Sequence, residues 1–288
     1  MTNRWIVGAR PRTLPAAVVP VLVGTACAAG EVDVIAWRAL CAAVVSLALQ
    51  VGTNYANDYS DGVRGTDDVR VGPVRLVASK LASPRAVKIA ALLAFAVAGI
   101  AGTALALEVG PELFAVGAAS IAAGWLYTGG PKPYGYYGFG ELFVFVFFGV
   151  VATVGSTYVQ TERVTALSVA ASISVGFLAC SLLVVNNLRD ISTDAAAGKR
   201  TLAVRLGEAQ TRMLYTLLMC GAIVIGASCG FQRPGAFAVV MVGLLVAGPV
   251  AMVARGARGK DLIAVLGATG RVQLAFGLVL SLGLWLTA

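Results

Sequence analysis

Long apolar stretches separated by short polar segments run through almost the whole chain. About 20 consecutive apolar residues are enough to cross a bilayer as a helix, and on that scale the pattern predicts nine transmembrane helices. Their expected bounds are 13–30, 36–56, 86–107, 111–129, 139–159, 165–187, 213–231, 235–254 and 268–287. We therefore expect an all-α, polytopic membrane protein in which residues 1–288 form a single integral membrane domain.

The composition supports this class and removes several others. Hydrophobic residues make up 58% of the chain and charged residues 12%, and the mean hydropathy is +0.84, far above that of soluble proteins. With no soluble domain to present it, nucleic acid is not an expected partner. The absence of histidine excludes imidazole bases and the HExxH zinc site. The five cysteines lie in predicted spans without a CxxC pair, which is typical of small buried side chains.

The basic residues predict the orientation of the chain. With a cytoplasmic N-terminus, 18 of the 22 lysines and arginines fall in predicted cytoplasmic segments, as the positive-inside rule requires. The net charge of +8 is concentrated in these loops. A basic cytoplasmic rim favours anionic lipid headgroups and anionic substrates.

A polar stripe ends the second predicted span. Asn54, Asn57, Asp58 and Asp61 are spaced i, i+3, i+4, i+7, so a helix places them on one face. An ionised Asp at a bilayer centre costs about 2.5–3.5 kcal/mol, which is why such residues usually serve a function. Their oxygen atoms are typical ligands for a hard cation that carries phosphate.

A second stripe follows the sixth predicted span. Asn187, Asp190 and Asp194 are spaced i, i+3, i+7 and again share one helical face. Four predicted crossings separate the two stripes, so both face the cytoplasm and can meet across one cavity. Magnesium is commonly held by one or two carboxylates together with substrate phosphates. Two facing stripes therefore suit a diphosphate held through Mg²⁺.

Basic and aromatic residues surround these stripes. Any one of the basic residues is equally compatible with a role in topology alone, whereas as a group they suit a diphosphate. A third loop that is cytoplasmic by the same parity adds Tyr127 and Lys132 as candidates, while an interfacial aromatic belt is the expected role of Tyr136 and Tyr137. The basic candidates are Arg64, Arg70, Arg75 and Lys80 after the first stripe, and Lys199, Arg200 and Arg205 after the second.

Together these residues resemble the UbiA superfamily of intramembrane prenyltransferases, whose mark is two aspartate-rich motifs at cytoplasmic ends of helices. The resemblance covers nearly the whole chain. The segments that carry it are Asn-Asp-Tyr-Ser-Asp-Gly-Val-Arg-Gly-Thr-Asp at 57–67, Asn-Asn-Leu-Arg-Asp-Ile-Ser-Thr-Asp at 186–194 and Gly-Lys-Arg-Thr-Leu-Ala-Val-Arg-Leu-Gly at 198–207. They are most similar to the branch of menaquinone synthesis, as is the opening Arg-Pro-Arg-Thr-Leu-Pro at 10–15.

The resemblance implies a helical bundle around a central cavity in a bacterial cell membrane, with the active site cytoplasmic. It further implies Mg²⁺-dependent transfer of a polyprenyl group from its diphosphate to 1,4-dihydroxy-2-naphthoate, with loss of CO₂ and pyrophosphate. The implied metal ligands are Asn54, Asp58, Asp61, Asp190 and Asp194, the four aspartates being the catalytic set. The implied diphosphate-binding residues are Asn54, Asn57, Arg64, Arg75, Lys80, Tyr127, Lys132, Asn187 and Lys199.

The sequence departs from the superfamily pattern in two places. Gly65 stands where many members have a third Asp, with Asp67 and Asp68 slightly later, and Tyr127 and Lys132 are separated by four residues instead of three. Other acceptors, such as 4-hydroxybenzoate or homogentisate, remain alternatives. An ion-coupled transporter is a distant one, because its polar groups would lie near the bilayer midplane. For the aromatic run at 139–148, lining of the groove for the tail is an alternative, but ordinary lipid-facing packing is expected.

Overall fold

The computed structural model describes residues 3–66 and 74–288, and the described chain is built from helices. The helices are α1 (Arg4–Ala9), α2 (Pro15–Ala28), α3 (Ala36–Arg64), α4 (Pro84–Val109), α5 (Glu112–Leu126), α6 (Gly140–Thr161), α7 (Ala166–Ala196), α8 (Leu202–Ser228), α9 (Pro234–Ala254) and α10 (Lys260–Leu286). Two of them include other helical forms: the middle of α6 is π-helical over Phe145–Val151, and α9 begins with a 3₁₀ segment, Pro234–Val242.

Seven of these segments within the described chain are long and apolar enough to cross a membrane by themselves. An eighth span forms if α2 is joined to the bent segment Arg4–Thr13, from which it turns by 52°. The shorter apolar helix α5 occupies the place of the remaining predicted span. The expectation of about nine membrane helices in an all-α bundle is therefore confirmed.

Several helices extend beyond the predicted spans at their polar ends. A helix of 29 residues, the length of α3, is about 44 Å long, whereas the hydrocarbon core is about 30 Å thick. The helix α3 therefore continues beyond the hydrocarbon core and includes the first polar stripe. It is terminated by Gly65, whose φ is 71°. The predicted bounds were too short for α8 and α10, which begin at Leu202 and Lys260, because polar residues can continue a helix where hydropathy falls.

Two apolar clusters hold the bundle on either side of its interior. The larger one joins α2, α7, α8, α9 and α10 through buried side chains such as Val19, Leu178 and Phe276. The smaller one packs Tyr55 and Phe95 where α3 meets α4. Among the seven spanning segments α7 is the most deeply buried, so its polar C-terminal third is fixed in the centre of the molecule.

Candidate active site

A cavity of about 1050 Å³ lies between the helices from α2 to α7, and both polar stripes line it. The first stripe reaches it from the C-terminal part of α3, and the second from the C-terminal part of α7. The neighbouring Asn186 also lines the wall. The stripe residues on the wall are Asn54, Asn57, Asp61, Asn187, Asp190 and Asp194. The structure thus brings the two stripes to one polar mouth.

Asp61 is the centre of a buried cluster at this mouth. Its side chain is 5% exposed; one oxygen accepts a hydrogen bond from the Tyr136 hydroxyl at 2.6 Å, and the other lies 3.2 Å from Lys199 Nζ. The Lys199 ammonium also lies 4.7 Å from the centre of the Tyr136 ring. Burial, followed by the nearby Asp61 charge, raises the pKa of Tyr136. Tyr136 therefore remains a neutral donor to Asp61.

This position of Tyr136 corrects the expectation of a simple interfacial belt. Its ring lines the cavity, whereas the next residue, Tyr137, is exposed. Arg64 belongs to the same cluster, and its guanidinium lies 5.5 Å from the centre of the Tyr136 ring. Arg64 also donates hydrogen bonds to the carbonyls of Thr128 and Gly130. It fixes the loop after α5, and its side chain is not part of the cavity wall.

Asp58, one turn before Asp61, has different surroundings. It is 1% exposed, and its two oxygens accept hydrogen bonds from the backbone N–H groups of Leu76 at 2.8 Å and Val77 at 3.0 Å. Asp58 is not among the residues that line the cavity. It anchors the segment that returns to the bundle before α4. The Asp58 oxygens, which were expected to bind a metal, accept hydrogen bonds from the backbone of this segment.

Asp190 is held by the residue before it. The guanidinium of Arg189 donates two hydrogen bonds of 2.7 Å to the two Asp190 oxygens, and a third of 2.8 Å to Asn186 Oδ1. Both partners are buried, and a bidentate pair of this kind fixes the orientation of the carboxylate. Arg189 is not among the candidate residues that the sequence analysis identifies. Its position directly before a motif aspartate was the signal that could have identified it.

The asparagines of the stripes are oriented by neighbours from other elements. Asn54 donates to the Ala9 carbonyl at 3.0 Å, and Asn57 accepts from the Thr128 hydroxyl at 2.8 Å. Asn187 donates to the buried carboxylate of Glu141 at 3.0 Å. Glu141 was missed by sequence reasoning, although a carboxylate inside an apolar span is itself a functional signal.

The remaining candidate cations are distributed unevenly. Arg75 and Lys199 line the cavity, as do Arg10 and Arg12 from the N-terminal segment. Lys80 and Lys132 are exposed and do not contribute to the wall. Arg70, Asp67 and Asp68 lie outside the described residues.

Tyr127 lines the cavity, so the structure separates it from Lys132. Burial, followed by the charges of Glu141 and other nearby groups, raises the pKa of Tyr127. Its ring packs edge-on against Tyr134 at 5.5 Å, and its carbonyl accepts from the Gly135 N–H at 3.0 Å. The loop thus delivers one of its two candidates to the site.

Away from the polar mouth the cavity wall is mainly apolar. The π-helical part of α6 and the turn before it contribute Phe143, Phe147 and Phe148. The expectation that this aromatic run faces lipid was therefore wrong for these three residues. Phe147 and Phe148 lie within the π segment, whose wider turn changes the direction of side chains relative to a regular α-helix. Tyr134 stacks on Phe143 at 3.9 Å and connects the loop to this apolar wall.

The donor set at the mouth fits Mg²⁺ by its chemistry. Carboxylate and amide oxygens are the atoms that Mg²⁺ prefers, and it usually takes only one or two carboxylates from the protein. Across residues 3–66 and 74–288, no three acidic, histidine or cysteine side chains converge on a single point. The other ligands of a metal held here would come from the asparagine amides, from water or from a bound phosphate.

The structure is a helical membrane bundle whose cavity joins an oxygen-rich mouth, flanked by cations, to an apolar interior. These features define a class of intramembrane proteins that handle amphipathic anions. The particular family follows from comparison: residues 17–266 match the model of the UbiA prenyltransferase family. The chain belongs to that family.

Three relatives are similar over most of their length and carry the same description, "1,4-dihydroxy-2-naphthoate octaprenyltransferase". The Mycobacterium tuberculosis protein is 53% identical, covering 96% of this chain and 95% of the relative. The Escherichia coli protein is 37% identical over 77% and 75% of the two chains. The Bacillus subtilis protein is 32% identical over 96% and 90%.

Solved structures share the fold at much lower identity. A UbiA homolog from Archaeoglobus fulgidus, bound to GPP and Mg²⁺, aligns with a TM-score of 0.62 and 14% identity over 96% of this chain and 99% of its own. An apo UbiA homolog from Aeropyrum pernix K1 aligns with a TM-score of 0.69 and 14% identity over 98% of both chains. These likenesses concern the arrangement of helices.

Proposed function

We propose that this protein transfers a polyprenyl group from polyprenyl diphosphate to 1,4-dihydroxy-2-naphthoate, with release of CO₂ and pyrophosphate, and so forms demethylmenaquinol, the reduced form of demethylmenaquinone. The observation that carries the acceptor is the 53% identity, across 96% of the chain, to a relative described as a 1,4-dihydroxy-2-naphthoate octaprenyltransferase. The cavity supports the reaction class, because its polar mouth suits a diphosphate and its apolar interior suits a prenyl tail.

The diphosphate is held at the mouth by cations on three sides. Lys199 comes from the segment after α7, Arg10 and Arg12 come from the turn between α1 and α2, and Arg75 comes from the segment before α4. Charge-assisted hydrogen bonds from such groups are roughly twice as strong as neutral ones. Lys199 is paired with Asp61, so a diphosphate would share this cation with the carboxylate instead of meeting an isolated charge.

Asp61, Asp190 and Asp194 are the carboxylates on the wall that would hold Mg²⁺, with the Asn57 and Asn187 amides beside them. When bound, Mg²⁺ supplies Lewis-acid stabilisation of the charge that develops on the leaving pyrophosphate. Asp58 would support this set indirectly, by holding the segment that carries Arg75 through its bonds to Leu76 and Val77.

The bond changes need no protein nucleophile. The allylic C–O bond of the donor breaks and its electron pair leaves with pyrophosphate. The electron-rich ring carbon that carries the carboxylate then forms the new C–C bond. Loss of CO₂ returns the electron pair of the carboxyl bond to the ring. The prenyl tail stays in the apolar part of the cavity, where each buried CH₂ contributes about 0.8 kcal/mol.

Acceptor choice is tested with purified protein, Mg²⁺ and a radiolabelled polyprenyl diphosphate, supplied in parallel with 1,4-dihydroxy-2-naphthoate, 4-hydroxybenzoate or homogentisate. We expect labelled lipid product only with the naphthoate. Labelling of 4-hydroxybenzoate or homogentisate without labelling of the naphthoate would replace the acceptor but retain the reaction class. Uptake of donor into proteoliposomes without any product would favour the transporter alternative.

The protein is a multi-pass membrane protein, and we assign its polar mouth to the cytoplasmic side of a bacterial cell membrane. The support is the positive-inside distribution of its basic residues. A cytoplasmic mouth would receive the water-soluble naphthoate directly, while the lipid donor reaches the same cavity from the bilayer.

A further inference from the structure

We propose that three glycines, Gly99, Gly117 and Gly155, set the length of prenyl tail that the cavity admits. The inference rests on the proposed function, since it concerns the donor of that reaction. It assigns a role in donor specificity to residues that lack side chains. A side chain added at any of them is predicted to reduce the length of prenyl donor that the protein accepts.

The cavity is long enough to contain much of a prenyl tail. Along α3 it is lined from Asp61 at the polar mouth to Ala42. Those 19 residues of helix correspond to about 28 Å at 1.5 Å per residue, close to the thickness of the hydrocarbon core, about 30 Å. A tail that enters from the mouth can thus run inside the protein across most of the membrane.

The three glycines line this cavity at increasing depth. Phe95 packs against Gly52 and Gly124, and Gly124 lies one helical turn further from the mouth than Tyr127. Gly99 is one turn beyond Phe95 along α4, which places it about 10 Å from the mouth. Gly117 precedes Tyr127 by ten residues of α5, or about 15 Å.

Gly155 is the deepest of the three. Gly140 at the start of α6 lies against the Tyr127 ring, so the beginning of this helix is level with the mouth. Gly155 follows it by 15 residues along α6, a depth of about 20 Å. The three positions therefore form a graded series down the cavity wall.

Each of these glycines has room for a side chain. A Cβ built at Gly99, Gly117 or Gly155 has no heavy atom within 4 Å, and none of the three has a positive φ. Gly124, also on the cavity wall, differs: its Cβ would lie 2.6 Å from Thr53 Oγ1. A Cβ at each of the three open glycines thus has free space around it, and replacement of glycine favours the helix, so the added atoms would extend into space that a tail would use.

The test compares donors of different length on single variants. Gly99→Leu, Gly117→Leu and Gly155→Leu are purified and supplied with 1,4-dihydroxy-2-naphthoate and geranyl, farnesyl, geranylgeranyl or octaprenyl diphosphate. For Gly155→Leu we expect kcat/KM to fall about tenfold or more with the octaprenyl donor, a discrimination typical of apolar pockets, while the geranyl donor is used as in wild type. The cut-off should move to shorter donors in the order Gly155, Gly117, Gly99.

Gly243→Leu is the matched control. Gly243 is half-buried on α9, a Cβ there also has no neighbour within 4 Å, and it does not line the cavity. We expect its donor profile to equal that of wild type. Equal loss with all donors, or no change with any donor, in the three variants would overturn the proposal. Failure of the wild-type protein to prenylate any acceptor would refute the proposed function instead.

Discussion

Asp58 and Asp61 lie one turn apart on α3, yet their carboxylates face different partners. Asp58 accepts two backbone N–H groups, whereas Asp61 is bound by Tyr136 and Lys199 on the cavity wall. The first arrangement fixes a backbone segment, and the second presents a charge to a ligand. The two aspartates belong to the same sequence motif but therefore have separate roles.

Exchange of Asp61 for Asn should abolish most activity in a protein that still folds. The change keeps the shape and the acceptor for Tyr136 but removes the charge that Mg²⁺ requires. We expect a loss of activity of about 100-fold or more at saturating Mg²⁺, by analogy with the loss of groups that support a metal site, and a lower Tm, because the buried Lys199 ammonium loses its partner. Near-wild-type activity would contradict the assignment of Asp61.

Asp58→Asn should also lower stability, but through the backbone that it holds. One oxygen becomes an amide that cannot accept from the backbone, so a buried N–H loses its partner at a cost of about 1–3 kcal/mol. A lower Tm and faster proteolysis near residue 77 are expected. A Tm equal to wild type combined with lost metal dependence would mean that Asp58 acts directly on the metal.

Asp190 and Arg189 form a buried bidentate pair, so their variants should not act independently. Asp190→Asn leaves a buried guanidinium poorly compensated, which destabilises proteins by about 3–5 kcal/mol. We expect Arg189→Met in the same chain to recover much of the Tm but none of the activity. Additive losses of Tm in the double variant would contradict the coupling.

The pH dependence of activity should not reflect titration of Tyr136. Because burial and Asp61 raise its pKa above the ordinary value, the hydroxyl stays protonated below about pH 10, and its contribution is lost only as the pH rises through the elevated pKa. Tyr136→Phe should therefore lower kcat by a constant factor between pH 6 and 9. An alkaline limb within that range that disappears in Tyr136→Phe would contradict this.

At the scale of helices, hydropathy and spacing were sufficient to predict the spans and the two polar stripes, because both are local properties of the chain. The partners of the stripes were not predictable in the same way. That Asp58 meets the N–H of Leu76, or that Asn187 meets Glu141, depends on packing between elements 18 and 46 residues apart. Likewise, the π turn that directs Phe147 and Phe148 inward leaves no signal in hydropathy.

The contact between α6 and α7 provides a prediction at this scale. A Cβ at Gly149 would lie 2.6 Å from the Cα of Gly176, so the π segment packs against α7 through bare backbone. Gly149→Ala should destabilise the protein by about 1–3 kcal/mol through overpacking, measured as a lower Tm in detergent. Gly248→Ala, with nothing within 4 Å of its Cβ, is the control and should not lower the Tm, since Ala favours the helix over Gly.

For the whole molecule, the distribution of basic residues predicts that the polar mouth faces the cytoplasm. Ser79 is exposed near this mouth, in the segment before α4. In a variant lacking the five native cysteines, Ser79→Cys should react with a membrane-impermeant maleimide in inverted vesicles but not in intact cells. Labelling in intact cells would reverse the orientation and separate the site from its soluble acceptor.

The central claim, decarboxylative prenyl transfer, is tested most directly by the fate of the acceptor carboxylate. Wild-type protein in liposomes is supplied with Mg²⁺, octaprenyl diphosphate and 1,4-dihydroxy-2-naphthoate carrying ¹⁴C in its carboxyl group. We expect labelled CO₂ and prenylated, unlabelled quinol in equal amounts, and neither with Asp61→Asn. Prenylated product that retains the label, or no prenylated product at all, would contradict the account.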